Sequence, residues 1–73
     1  MSHVVHAEIV ANVLSIEVQV GDKVGATDPV IILESMKMEI PVLAEVDGSV
    51  TEVIVKPGDV VHDGDPLLIV QEA

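Results

Sequence analysis

The sequence predicts an all-β domain, built as a compact sandwich or flattened barrel of two small antiparallel sheets. Composition is the first reason, because the 73 residues include 16 valines and 7 isoleucines but no phenylalanine, tyrosine or tryptophan. β-Branched side chains fit a pleated, half-buried surface better than a helix. The second reason is an internal repeat of short strand-like segments separated by turn signals, which indicates two copies of one β unit.

The repeat appears when the sequence is shifted against itself by 37 residues. The shift aligns residues 28–33 with residues 65–70, and of the 26 aligned pairs that begin at Ala7, ten are identical. We therefore expect one domain over the whole chain. Its repeat halves lie at about residues 3–36 and 40–73, and each copy contributes one half of the sandwich.

Within a copy, alternation of apolar and polar residues predicts a strand with one buried face. In the first copy the apolar positions of this strand are Leu14, Ile16, Val18 and Val20. Glycine turns, Gly21-Asp22 and Pro57-Gly58, are expected to end this strand and its counterpart. In the second copy the alternation changes phase at Thr51, which predicts a β-bulge there.

Two other signals place further strands. Residues 30–33 and 67–70 are unbroken apolar runs that each follow Asp-Pro, and they are typical of fully buried strands. Asp47-Gly48 is a two-residue hairpin signal, and it predicts a hairpin between strands near residues 40–45 and 49–55.

Charge and composition exclude several classes of function. The sequence has thirteen Asp and Glu residues but only three lysines and no arginine, so the basic surface that nucleic acids require is missing. There is no cysteine for a disulfide or a thiolate metal site. No apolar stretch approaches the roughly 18 residues of a membrane span, and no signal peptide is evident. We expect a cytoplasmic protein without nucleic acid or membrane partners.

The most unusual stretch is Glu34-Ser35-Met36-Lys37-Met38-Glu39, at the junction of the two copies. If a strand ends near Ser35 and another begins near Met38, the loop between them is the pair Met36-Lys37. Two-residue hairpin loops prefer positive φ, which suits Asn and Gly rather than Met and Lys. Residues that do not suit the local turn geometry indicate a functional site. The alternative is a longer, unstrained loop, which leaves Lys37 equally exposed.

The chemistry around Lys37 favours an acceptor of modification rather than a catalyst. A lysine in water has a pKa of about 10.4, and Schiff-base lysines overcome this by desolvation or a neighbouring cation. Here the charged neighbours are the carboxylates Glu34 and Glu39. No nucleophile with a base partner and no phosphate-binding loop is evident, so we expect no catalytic residues. His3 and His6 lie on opposite faces of a strand, and we expect no metal site.

The stretch around Lys37 resembles the Met-Lys-Met attachment motif of biotinyl carrier domains, the biotin and lipoyl attachment family. The resemblance extends over nearly the whole chain and includes the glycine turns and the duplication. It implies two four-stranded antiparallel sheets related by a quasi-twofold axis, with biotin attached covalently to Lys37 by a biotin protein ligase. Met36 and Met38 correspond to the flanking recognition residues of the family. Glu34 and Glu39 are further candidates for recognition.

For a member of this family, the tethered biotin carries carboxyl groups between biotin carboxylase and carboxyltransferase sites of an acyl-CoA or related carboxylase. The expected partners are therefore the biotin protein ligase and the biotin carboxylase and carboxyltransferase subunits. The strand before Gly21 leaves no room for the protruding thumb of some bacterial carriers. We also expect a free-standing monomeric carrier. Two alternatives remain, namely a lipoyl carrier on the same lysine and an unmodified structural or interaction domain. Lipoyl domains share the positions of Glu34 and Gly21, but they more often place Asp and Ala beside the lysine.

Overall fold

Eight β-strands form the framework of the protein in a computed structural model that describes residues 1–73. The strands are β1 Ser2–His6, β2 Ala11–Ile16, β3 Lys23–Val24, β4 Pro29–Ser35, β5 Met38–Leu43, β6 Gly48–Val53, β7 Val60–Val61 and β8 Pro66–Glu72. They form two four-stranded antiparallel sheets, with strand orders β1-β8-β6-β3 and β5-β4-β2-β7. The predicted all-β fold is therefore confirmed. The structure contains no helix of the length and apolar character that a membrane crossing requires.

The internal duplication extends from the sequence to the strand pairing. Adding 37 to the bounds of β2, β3 and β4 gives the bounds of β6, β7 and β8, and β1 recurs as the slightly longer β5. The same offset converts the strand order of one sheet into that of the other. The two sheets are therefore quasi-twofold equivalents.

The two copies are interleaved, contrary to the expectation that each would supply one half of the sandwich. Each sheet contains two strands of the first copy and two of the second. Interleaving lets β4 and β8 lie at inner positions of different sheets, where each is covered by two neighbouring strands. Neither copy can therefore complete a sheet alone.

The predicted Asp47-Gly48 hairpin is wrong, because β5 and β6 belong to different sheets. Asp47 instead ends the connection that crosses between the sheets, and Gly48 begins β6. Gly48 pairs with Glu72, and a Cβ atom at Gly48 would lie 2.0 Å from the backbone O of Gln71. Glycine is thus needed here for the close approach of two strands and not for a tight turn.

Matching bulges interrupt β2 and β6. The register shifts between Val13 and Ser15 in one strand and between Val50 and Glu52 in the other, so the predicted bulge at Thr51 is confirmed. Its counterpart is at Leu14. The predicted buried face of β2 is wrong at this position, because the bulge directs Val13 into the core and leaves Leu14 43% exposed. Val20 lies beyond the strand and is also exposed.

The core is a single cluster of aliphatic side chains between the sheets, and β4 and β8 supply its largest members. Residues 30–33 and 67–70 lie within these strands, as predicted. The 14 buried hydrophobic residues are Val5, Ala7, Ala11, Val13, Val24, Val30, Ile31, Leu33, Ala44, Val50, Val61, Leu67, Leu68 and Val70. Since no polar side chain is buried, burial of apolar surface provides most of the stabilisation.

Four tight turns share one hydrogen-bonding pattern and fix the ends of the strands. They comprise residues 19–22, 25–28, 56–59 and 62–65, and each ends in an aspartate. The aspartate N–H donates to the carbonyl three residues earlier, and its carboxylate accepts the N–H of that same earlier residue. The predicted turns at Gly21 and Gly58 are confirmed, with φ of 98° and 95°.

Candidate functional site

The β4–β5 hairpin presents the stretch around Lys37. Ser35 pairs with Met38 across the hairpin, so the loop consists of Met36 and Lys37 alone. Their φ angles are 53° and 66°, both in the left-handed region. Positive φ at both loop residues is the pattern of a type I′ turn. The predicted two-residue loop is confirmed, and the alternative of a longer, unstrained loop is not observed.

This turn holds two residues in a conformation that their side chains disfavour. The left-handed conformation costs roughly 1–2 kcal/mol for a residue with a Cβ atom. It persists because the flanking strands are firmly anchored. Leu33, two residues before the Ser35–Met38 pair, is only 1% exposed and belongs to the core. The core therefore fixes the direction in which the tip of the hairpin points.

The side chains at the tip extend into solvent. Met36 is 91% exposed and Met38 is 66% exposed, so an apolar side chain extends into solvent on each side of Lys37. Lys37 is exposed, and none of the ion pairs or side-chain hydrogen bonds involves it. Its amine is therefore accessible from most directions. An exposed, unpaired amine at a rigid tip fits the covalent attachment of a cofactor by another enzyme.

Glu34 and Glu39 face each other across the hairpin one pair below Ser35 and Met38. Side chains opposite one another on antiparallel strands have Cβ atoms about 4.5–5.5 Å apart, and like charges in such pairs are destabilising. Asn12 of β2 lies on the other side of Glu34. The structure thus brings all five predicted site residues together. The sequence did not predict that Asn12 lies beside these residues, because its position depends on the pairing of β2 with β4.

The hairpin and the C-terminus lie at opposite ends of β4. Ser35 ends this seven-residue strand and Pro29 begins it, so about 20 Å separates the two ends. Near its beginning, the Ala26 N–H donates to Asp47 Oδ1 at 2.8 Å, and the carbonyl of Asp47 accepts the N–H of Ala73 at 3.0 Å. The molecule is about 35 Å long. The tip with Lys37 therefore projects away from the C-terminus.

His3 and His62 each lie beside an acidic residue. The His3 Nε2 atom lies 2.7 Å from Glu45 Oε1. The Asp63-Gly64-Asp65 segment lies in the turn of residues 62–65, where Asp65 accepts the N–H of His62. No group of three or more His, Asp or Glu residues is arranged to hold a metal ion.

Comparisons with known proteins agree with this arrangement. Residues 3–70 match the model of the family described as biotin-requiring enzymes. A biotinylated protein TB7.3 homologue from Mycobacterium leprae is 58% identical over 48 residues, which cover 66% of this chain and 68% of that protein.

Two solved carboxylases contain a part with the same fold. The match to a single-chain, multi-domain long-chain acyl-CoA carboxylase has a TM-score of 0.91 at 29% identity, covering 99% of this chain and 7% of that one. The match to Kluyveromyces lactis urea carboxylase has a TM-score of 0.92 at 34% identity, covering 97% of this chain and 6% of that one. The chain therefore corresponds to a small part of each carboxylase. With its two interleaved sheets, its exposed Met-Lys-Met tip and a family match over residues 3–70, the chain belongs to the biotinyl carrier domains of the biotin-requiring enzyme family.

Proposed function

We propose that Lys37 is the residue that carries biotin, joined through an amide to its Nζ atom by a biotin protein ligase. The observation that carries the proposal is the type I′ turn, which holds Lys37 at a rigid tip between two exposed methionines. Met36 and Met38 offer the ligase an apolar surface on both sides of the amine. Glu34 and Glu39 add a paired negative charge on one face of the hairpin.

In this proposal the chain carries carboxyl groups between the biotin carboxylase and carboxyltransferase sites of an acyl-CoA or related carboxylase. The bound biotin supplies the group that accepts and releases CO2, and the partner subunits supply the catalytic residues. The likeness to acyl-CoA and urea carboxylases supports such partners. Tethering raises the effective concentration of the cofactor at each site, provided that the arm can reach both. The rigid hairpin contributes by fixing where the arm starts.

Intact mass and avidin blotting of chain produced with a biotin protein ligase test the assignment of Lys37. Wild-type chain is expected to gain one biotin, and Lys37→Arg, which keeps the charge, is expected to gain none. Lys23→Arg and Lys56→Arg are matched controls, because both lysines are exposed but lie outside the hairpin, and they should be modified fully. Modification of Lys37→Arg, or an unmodified wild-type chain, contradicts the proposal. A dithiol-containing adduct on wild-type chain from the native host supports the lipoyl alternative.

A further inference from the structure

A cleft of about 340 Å3 opens along β5, the strand that follows Lys37. One wall is β5, with Ile40 and Val42, and the other is the connection from β1 to β2, with Glu8 and Ile9. Leu33 of β4 is also in the lining. Its volume is at the lower end of the range of small-molecule pockets, about 300–1,000 Å3. The cleft suits a compact group with an apolar body and a few polar atoms.

The cleft is lined by Glu8 and by its equivalent in the second copy, Glu45, and their surroundings differ. The 37-residue offset relates His3 to Ile40 and Glu45 to Glu8. Glu45 has a partner, because its Oε1 lies 2.7 Å from His3 Nε2. At the equivalent position isoleucine cannot bond to a carboxylate, and Glu8 has no such partner. The second pocket of the molecule lies elsewhere, beside β3 and the C-terminus.

Lys37 lies within reach of the near end of the cleft. Ile40 follows Lys37 by three residues, or about 10 Å along a strand. Met38, Ile40 and Val42 share one face of β5, so an apolar path leads from the tip to the cleft. A lysine side chain extended by a five-carbon acyl chain has about eleven bonds of roughly 1.3–1.5 Å between Cα and the ring. Such an arm exceeds the required distance.

We propose that this cleft is a docking site for the biotin group carried on Lys37, an inference that rests on the proposed function. The apolar part of the bicyclic ring fits against Ile9, Ile40 and Val42. The ureido group has two N–H donors and one carbonyl acceptor. At the cleft, Glu8 offers a carboxylate that accepts N–H, and His6 offers an imidazole N–H that donates. Docking would hold the biotin group against its own carrier whenever it is not bound at a partner site.

Methyl-labelled NMR spectra of the intact chain, with and without biotin, test the docking directly. Biotinylation, first verified by intact mass, is expected to shift the methyl signals of Ile9, Ile40 and Val42. Shifts confined to residues 36–38 in a verified adduct overturn the docking site while leaving the proposed function intact. A chain that takes no biotin on Lys37 overturns both, and the mass measurement distinguishes these two results.

The quasi-twofold symmetry supplies a matched pair of variants. Ile40→His reproduces the His3–Glu45 pair at the equivalent position, and pairing with Glu8 should narrow the cleft and engage the carboxylate proposed to bind the ureido group. His3→Ile releases Glu45, which also lines the cleft, and it should not close the cleft. If docking occupies half or more of the biotinylated chain, avidin should associate about two- to tenfold faster with Ile40→His than with wild type or His3→Ile.

A second variant protects the test against a folding defect in β5. Ile9 is 38% exposed and lies outside the strands, so Ile9→Gln removes an apolar wall while leaving β5 unaltered. It should also increase the rate of avidin association and reduce the shifts at Ile40 and Val42. Rates equal to wild type in both Ile40→His and Ile9→Gln overturn the proposal.

Discussion

Met36 and Lys37 have backbone conformations that asparagine and glycine adopt more readily, and their side chains make no stabilising contact with the core. The turn therefore carries a local cost of roughly 1–2 kcal/mol per residue. A two-residue turn also restricts the positions that the Lys37 amine can take. A longer loop would let the amine change position relative to the rest of the domain. Strain at this turn is thus consistent with the proposed role of Lys37 as a fixed attachment point.

Substitution at Met36 tests this interpretation of the turn. Met36→Asn should raise the free energy of unfolding by about 1 kcal/mol, because asparagine tolerates the left-handed conformation. Met36→Val should lower it by a similar amount, because a β-branched residue is especially unfavourable at positive φ. Since Met36 is 91% exposed, lost packing cannot explain either effect. Urea denaturation followed by far-UV circular dichroism measures both, and equal stability of the two variants would contradict the strain.

The aspartate turns define the structure at the scale of elements. In each turn, the aspartate N–H donates to the carbonyl of the residue three positions earlier. The aspartate carboxylate accepts the N–H of that same residue. Two of them, at Asp28 and Asp65, immediately precede β4 and β8, the strands that provide the largest core residues. These turns therefore fix where the inner strands begin. The turn at Asp28 sets where β4 begins, and β4 is the first strand of the lysine hairpin.

Removing one of these carboxylates should cost stability without altering the fold. Asp28 Oδ2 accepts the Gly25 N–H at 2.7 Å, and loss of such a bond costs about 1 kcal/mol. We expect Asp28→Ala to lower the free energy of unfolding by that amount, and Asp65→Ala to have a similar effect at the equivalent turn. Asp28→Asn keeps an acceptor oxygen and is the control in urea denaturation. A loss in Asp28→Asn as large as in Asp28→Ala would show that the side-chain hydrogen bond is unimportant.

Interleaving governs the behaviour of the whole molecule. Since each sheet takes strands from both copies and one core lies between them, the copies cannot unfold separately. The lysine hairpin, although formed by local pairing, is anchored on a core that both copies build. Its geometry should persist for as long as the entire domain remains folded.

Core substitutions in the two copies should therefore act on a single transition. Val13→Ala and Val50→Ala remove equivalent side chains, 2% and 1% exposed, and each should lower the free energy of unfolding by about 2 kcal/mol. In amide NMR spectra collected across a urea titration, signals from both copies should disappear at one midpoint in each variant. Separate midpoints for the two copies would contradict a shared core. Val10→Ala, at an exposed position, is the control.

Local signals predicted much of this protein. Alternating apolar residues, glycine-containing turn motifs and the 37-residue repeat identified strands, turns and duplication. The short distance between two apolar segments predicted the two-residue loop at Lys37. These features depend on neighbours within a few residues, so they can be recognised before any long-range contact is known. The family resemblance added the number of strands and the identity of the cofactor.

Strand pairing, in contrast, was decided only by the tertiary structure. Asp47-Gly48 has the sequence of a hairpin turn, yet Gly48 is required by the approach of β8, which is distant in the chain. Leu14 follows the alternation, yet pairing of β2 with β4 places a bulge there and turns its side chain outward. The cleft beside β5 likewise forms only because β5 and the connection from β1 to β2, which are distant in the chain, lie close together. Such features are set by packing between residues far apart in sequence, and local propensity carries no information about that packing.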